Sequence, residues 1–174
     1  MMAEYKYTID NKTKYLTMIH FLIFAGVAAA LFIFGKGGYI LAWFISLIVA
    51  IIALMTLSIP RKIILSEEGI DICCISDYTF IPYSEITSIR IVERKELKFM
   101  IPIFASVGFF GYFGNFLNLK SMDFVKLYAS KWGNFIEITD VYEDKFYISC
   151  DNQSELVEKI AKEVSLNPDT ENNG

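Results

Sequence analysis

At 174 residues the chain has room for one modest domain and an additional segment. Apolar residues make up 54% of it and mean hydropathy is +0.41, above ordinary soluble usage. Sixteen basic and twenty acidic residues leave a net charge of −4. That charge divides into +2 over residues 1–59 and −6 over residues 60–174, and an acidic second part argues against nucleic acid as a partner, because such binding depends on neutralising phosphates.

The first 14 residues read as a short cytoplasmic segment, and residues 15–59 as a transmembrane hairpin. Tyr15 to Phe34 and Tyr39 to Ile59 are nearly uncharged runs of 20 and 21 residues, each long enough to span a hydrocarbon core as a helix. The glycine-rich connection at 35–38 is turn-like, so the helices must be antiparallel neighbours, and Pro60 stops the second. Lys6, Lys12 and Lys14 flank one end and Arg61 and Lys62 the other, while the connection offers only Lys36. The positive-inside rule therefore predicts both termini, and the domain that follows, in the cytoplasm of a multi-pass membrane protein. Gly26 and Ala30 on the first helix, and Ala42, Ser46 and Ala50 on the second, recur every four residues. Small residues at that spacing let helix backbones approach, so Gly26 is expected opposite Ser46 and Ala30 opposite Ala42. His20, the single histidine, falls inside the first span and reads as a neutral residue near the headgroups.

From residue 60 to 166 the pattern changes to short β-like runs: 62–66, 70–75, 77–81, 88–93, 123–129, 134–139 and 145–149, rich in β-branched and aromatic residues. Asn152 and Glu155 resemble a capping box, and Leu156, Val157, Ile160, Ala161 and Val164 form the apolar stripe of one amphipathic helix. Asn167-Pro168 ends it, and 167–174 is predicted to be a disordered tail. The predicted fold class is therefore α+β: a helical hairpin, then seven antiparallel strands in a barrel or sandwich, capped by a C-terminal helix.

That order is the order of the pleckstrin-homology (PH) superfold. The run Lys62 to Ile72, followed by Phe80 to Ile86, resembles bacterial PH-like domains that follow transmembrane helices. So do the Gly/aromatic segment Phe104 to Gly114 and Tyr147-Ile148-Ser149 leading into Glu155-Leu156. The resemblance covers residues 60 to about 165 and implies a PH-like fold while naming no ligand.

Lys98 and Lys120 bracket 21 uncharged residues that include seven aromatics. Pro102, Asn115, Asn118 and glycines at 108, 111 and 114 disfavour a third span, and suit neither a strong helix nor a regular strand. Two readings of this loop stay open. It either folds over the domain's own core, or lies at the membrane interface or against a partner, with Phe109, Phe110, Tyr112 and Phe113 as the candidate contact residues.

No converging acid, base or nucleophile is legible, and no phosphate loop or cofactor motif, so an enzyme is not expected. Cys73, Cys74 and Cys150 have no metal-ligand spacing and read as free thiols in a reducing compartment. The turn at 66–69 carries Glu67 and Glu68, which would repel inositol phosphates, and Arg90, Arg94, Lys95 and Lys98 are interrupted by Glu93 and Glu96. The expectation is a membrane-anchored, non-catalytic interaction module for a protein, a peptide or a lipid surface, open to homo-oligomer formation. The alternative is an accessory subunit of a membrane complex or transporter, assembled through its hairpin.

Overall fold

The computed structural model describes residues 3–35 and 38–166; the predicted tail at 167–174 and the central residues of the helix connection lie outside them. The chain opens with strand β1 (Ala3–Lys6), followed by helices α1 (Asn11–Phe34) and α2 (Gly38–Leu57). Strands β2 (Pro60–Leu65), β3 (Gly69–Cys74), β4 (Tyr78–Pro82) and β5 (Ile86–Val92) come next, then β6 (Met100–Val107), β7 (Tyr112–Asn118), β8 (Asp123–Ala129), β9 (Phe135–Asp140) and β10 (Lys145–Ser149), and last α3 (Gln153–Leu166).

Asp10 starts α1 as its N-cap, its carboxylate accepting from Thr13 N at 2.8 Å, so one of the helix's orphan donors is satisfied. At 1.5 Å per residue the two helices are about 36 and 30 Å long, each long enough to cross a bilayer. No residue in the most apolar stretch of either is fully buried in the protein. A core helix of a soluble domain would be covered by its neighbours, whereas Leu22, Phe32, Ile33, Trp43, Leu47 and Leu54 all stand exposed.

The strands form two sheets, ordered β1-β2-β3-β4 and β5-β9-β10-β8-β7-β6. The expected strand runs correspond to β2 to β5 and β8 to β10, and three further strands are present among the described residues. The sheets make a sandwich and not a closed barrel. The expectation of purely antiparallel pairing also needs correcting, because β8 and β10 pair in parallel, with Lys145 opposite Val125 and Ile148 opposite Tyr128. The crossing from β8 to β9 is held by Ser130, whose N–H donates to Ser149 Oγ and whose hydroxyl donates to Thr8 O.

The N-terminal segment is no separate piece. β1 pairs antiparallel with β2, Lys6 opposite Lys62 and Ala3 opposite Leu65, so the helical hairpin is a long insertion between two neighbouring strands. Local sequence gave no sign of this, because four residues with only a weak alternation are too few to mark a strand. Tyr5 on β1 also meets α3: Lys159 lies over its ring and its hydroxyl donates to Glu155 at 3.2 Å.

The main core lies between the two sheets and α3, built from Ile63, Ile70, Ile72, Ile136, Ile138 and Ile148, with Leu156 and Ile160 from the helix. A second cluster lies on the other face of the six-stranded sheet, around Leu97, Tyr112, Phe116, Leu127, Phe135 and Tyr147. Burial on both faces explains why β9 and β10 do not read as clean alternation. On α3 the stripe is narrower than expected: Ala161 is exposed.

The hairpin packing also departs from expectation. Gly26, Ala30, Ala42 and Ser46 are all exposed, and a Cβ at Gly26 would meet nothing within 4 Å. Away from the domain, the half-buried positions are Phe24, Ala28 and Leu31 on α1 and Leu41, Phe44, Ile48 and Ile52 on α2. These recur at three- and four-residue spacing and put mostly large side chains on the seam, which leaves the small residues facing outward.

Ile160→Ala in the full chain is expected to cost about 2–5 kcal/mol, since it opens a cavity in the main core. Glu158→Ala, on the exposed side of the same helix, should stay within about 0.5 kcal/mol. Thermal melts in detergent micelles compare the two, and equal losses would show that this face is not the packed one.

Candidate functional site

The uncharged segment at 99–119 is not an irregular loop. It forms the β6–β7 hairpin, which continues the six-stranded sheet with β6 at its edge. Its glycines, which spoil any simple periodicity, sit where backbone geometry requires them. Gly108 and Gly111 close the turn with φ of +78° and +144°. Gly114 (φ +109°) lies opposite Ala105, where a Cβ would come within 2.4 Å of Phe104 O, next to the register shift between Pro102 and Phe104.

The turn Gly108-Phe109-Phe110-Gly111 is seated on α1. Thr17 Oγ1 shares its one proton between Thr13 O at 2.9 Å and Gly108 O at 3.1 Å, and accepts from Phe110 N at 3.0 Å. Ser106 Oγ donates to Phe109 O at 2.6 Å, and Gly108 N donates to Gly111 O at 2.9 Å. Two hydroxyls thus satisfy backbone groups of a tight turn held against an apolar helix, where an unpaired group would be costly. The Phe109 ring packs edge-on to His20 at 5.7 Å, tilted to Phe21 at 5.5 Å, and edge-on to Phe24 at 6.4 Å. One turn below, Thr13 Oγ1 donates to Ser130 O, so α1 is bonded to the domain at two levels. His20 Nδ1 donates to Leu16 O at 2.7 Å.

The four candidate contact residues are therefore brought together around this turn but differ in surroundings. Phe109 is 4% exposed against α1, and Phe110 is half-buried with its backbone in the left-handed region (φ +57°). Tyr112 (3% exposed) packs on Trp132 in the second core at 4.9 Å, and Phe113 (3%) lines a cavity beside α2. Residues that sequence reasoning missed are Leu16, Thr13 and Thr17 on α1 and Ser106 on β6. A threonine pair four apart on a helix otherwise apolar was the available signal.

Two polar clusters of the domain form closed structural contacts. Arg90 makes a bidentate pair with Glu137 (2.7 and 2.9 Å) and bonds Glu96 at 2.7 Å, while Tyr147 donates to the same Glu137 carboxylate. Asp140 Oδ1 accepts from the backbone of Tyr142 and Asp144, both at 2.9 Å, which closes the acidic turn on itself. Burial raises all three thiols; Cys74, with Asp77 and Cys73 adding to the effect, is pushed up to about 11. They are protonated at neutral pH and so lack thiolate character. Glu67 and Glu68 stand exposed at the β2–β3 turn. Among the described residues no group of His, Cys, Asp and Glu side chains could hold a metal ion.

A two-sheet sandwich with a C-terminal helix packed on it defines a PH-like domain, here with two long apolar helices inserted between its first two strands. The chain belongs to the bacterial PH domain family, whose model matches residues 61–164. No curated protein and no solved structure matches it. The matched span covers β2 to α3 and leaves out β1 and both apolar helices. PH domains are in general non-catalytic interaction modules that bind proteins or lipids.

Thr17→Val is expected to destabilise the full chain by about 1–3 kcal/mol, because Gly108 O and Phe110 N lose their partner. Thr17→Ser keeps the hydroxyl and should be close to wild type. Melts in detergent, with chymotrypsin cleavage after Phe109 or Phe110 as a second reading, compare them; an undisturbed Val variant would mean the turn does not depend on α1.

Proposed function

We propose that this chain is a membrane-anchored, non-catalytic interaction module. In this reading α1 and α2 cross the bilayer as a hairpin, and the PH-like domain is presented at the cytoplasmic surface to a protein, a peptide or a lipid-surface partner. The observation that carries it is the β1–β2 pairing around two long helices whose most apolar stretches hold no fully buried residue. Strands on either side of the insertion are bonded to each other, so both helix ends near the domain must emerge on one side of any membrane the hairpin crosses. Lys6, Lys12, Lys14, Arg61 and Lys62 all cluster on that side, which favours the cytoplasm.

The acidic β2–β3 turn disfavours an inositol phosphate as the ligand, which leaves apolar or protein contact as the more fitting mode. A second reading, an accessory subunit of a membrane complex, is favoured by the outward position of Gly26, Ala30, Ala42 and Ser46. Small residues on an exposed helix face suit close packing by another transmembrane helix, including one from a second copy.

Reporter fusions at residue 174 are expected to report the cytoplasm, and an insertion at residue 37 the opposite side. A C-terminus outside would overturn the two-span reading. Crosslinking in native membranes separates the two roles: soluble partners support the module, and intramembrane partners through position 26 or 46 support the subunit.

A further inference from the structure

β6 is an edge strand without the usual protection. Edge strands exposed to water are ordinarily blunted with charges, since their free backbone groups and apolar side chains invite aggregation. Here no residue from Phe99 to Leu119 is charged, and Phe99, Ile101, Ile103, Phe104 and Val107 are all exposed, Phe104 at 81%. Pro102 removes one backbone donor from the edge, which lowers the cost of leaving it unpaired in apolar surroundings.

The place of this strand says what covers it. Phe104 and Ala105 line one cavity of about 340 Å³ with Ile51, Leu54 and Met55 of α2. A second, of about 240 Å³, shares Ile51, Met55 and Ala105 and extends to His20, Phe24 and Phe109. Leu54 and Ile51 lie three and six residues inside the α2 end at Leu57, or about 5 and 9 Å along the axis. The turn at the hairpin's tip reaches Phe24, about 20 Å along α1 from Asn11. The free edge of β6 is thus continuous with helix surface that must itself be in hydrocarbon if the hairpin crosses a bilayer. Lys98 and Lys120, both exposed, stand together at the opposite end of the β-hairpin, where charge marks the return to water.

We propose that the free edge of β6 is a lipid-contacting surface: Ile103, Phe104 and Val107, which flank that edge from both faces of the strand, lie among acyl chains of the leaflet next to the domain, and the groove between β6 and α2 accommodates an acyl chain. The inference rests on the membrane-anchor reading above. It assigns lipid contact to the edge strand and not to the turn, whose Phe109 is occupied by α1. The domain is then no freely tethered body. It is held partly within the leaflet, its β2–β3 turn and acidic loops facing water.

The test uses the full chain with Cys73→Ser, Cys74→Ser and Cys150→Ala, carrying Phe104→Cys, Leu47→Cys or Tyr142→Cys, spin-labelled in phosphatidylcholine and phosphatidylglycerol vesicles. Collision rates with oxygen, which concentrates in lipid, and with a water-soluble nickel complex are compared. The expected result is a label at 104 that matches the one at 47 in the middle of α2, with an oxygen-to-nickel ratio several-fold above that at 142 on the exposed acidic turn. A label at 104 as open to nickel as at 142 would overturn the lipid face while leaving the anchor standing. One shielded from both reagents would assign the strand to a protein contact such as a second copy, and also overturn it. Nickel access at 47 would remove the anchor itself, and the lipid face with it. Phe104 is so exposed that its replacement leaves the fold intact, which the unchanged melt of the labelled chain verifies.

Discussion

The arrangement of this protein depends on one pairing, the four-residue ladder between β1 and β2. It returns the chain to its starting point after an apolar excursion through α1 and α2. Because Lys6 lies opposite Lys62, the domain-side ends of the two helices, Asn11 and Leu57, are each held within five residues of one strand pair. The domain then gains a strand that covers the edge of β2, and the hairpin gains a rigid base that neither helix could supply. Tyr5 carries the same link onward to α3, so the first and last elements of the fold are in contact.

A second consequence is the meeting of a β-turn with a helix in apolar surroundings. Backbone polar groups of a turn ordinarily find water. At Gly108-Phe109-Phe110-Gly111 they find Thr17 and Ser106 instead, and glycine at two of the four positions permits the conformation that brings them there. Aromatic packing of Phe109 on His20, Phe21 and Phe24 fills the space around those bonds. Hydrogen bonds fix the orientation of the contact and apolar area supplies most of its stability, a division that holds whether the surroundings are lipid or protein.

These features support a domain that is held and oriented, not merely tethered. α1 contacts it at Thr13 and at Thr17, and α2 faces β6 across a shallow apolar groove. A change in the angle between the hairpin and the domain would have to break those contacts. The Arg90–Glu137–Tyr147 cluster and the self-capped Asp140 turn are committed to structure.

How much of this was legible depended on the range of the interaction concerned. The two apolar helices, seven of the strands and the amphipathic face of α3 follow from local composition and periodicity, and the run from Lys62 to Ile86 carried the resemblance to the bacterial PH domains. The uncharged character of 99–119 also marked that segment as unusual, though its glycines concealed a hairpin. A turn and a close approach look like broken periodicity until the partner strand is known. β1 was invisible because the strand it pairs with lies beyond two helices of 24 and 20 residues. The parallel pairing of β8 with β10 and the seam between α1 and α2 were equally out of reach, since spacing four apart describes several faces of a helix and cannot choose among them. Sequence by itself determined which segments shed water, because transfer free energy is a property of each side chain. Only the tertiary structure decided which of those surfaces cover each other and which, like the free edge of β6, are left for something else, because that choice rests on strand order and on contacts between residues far apart in the chain.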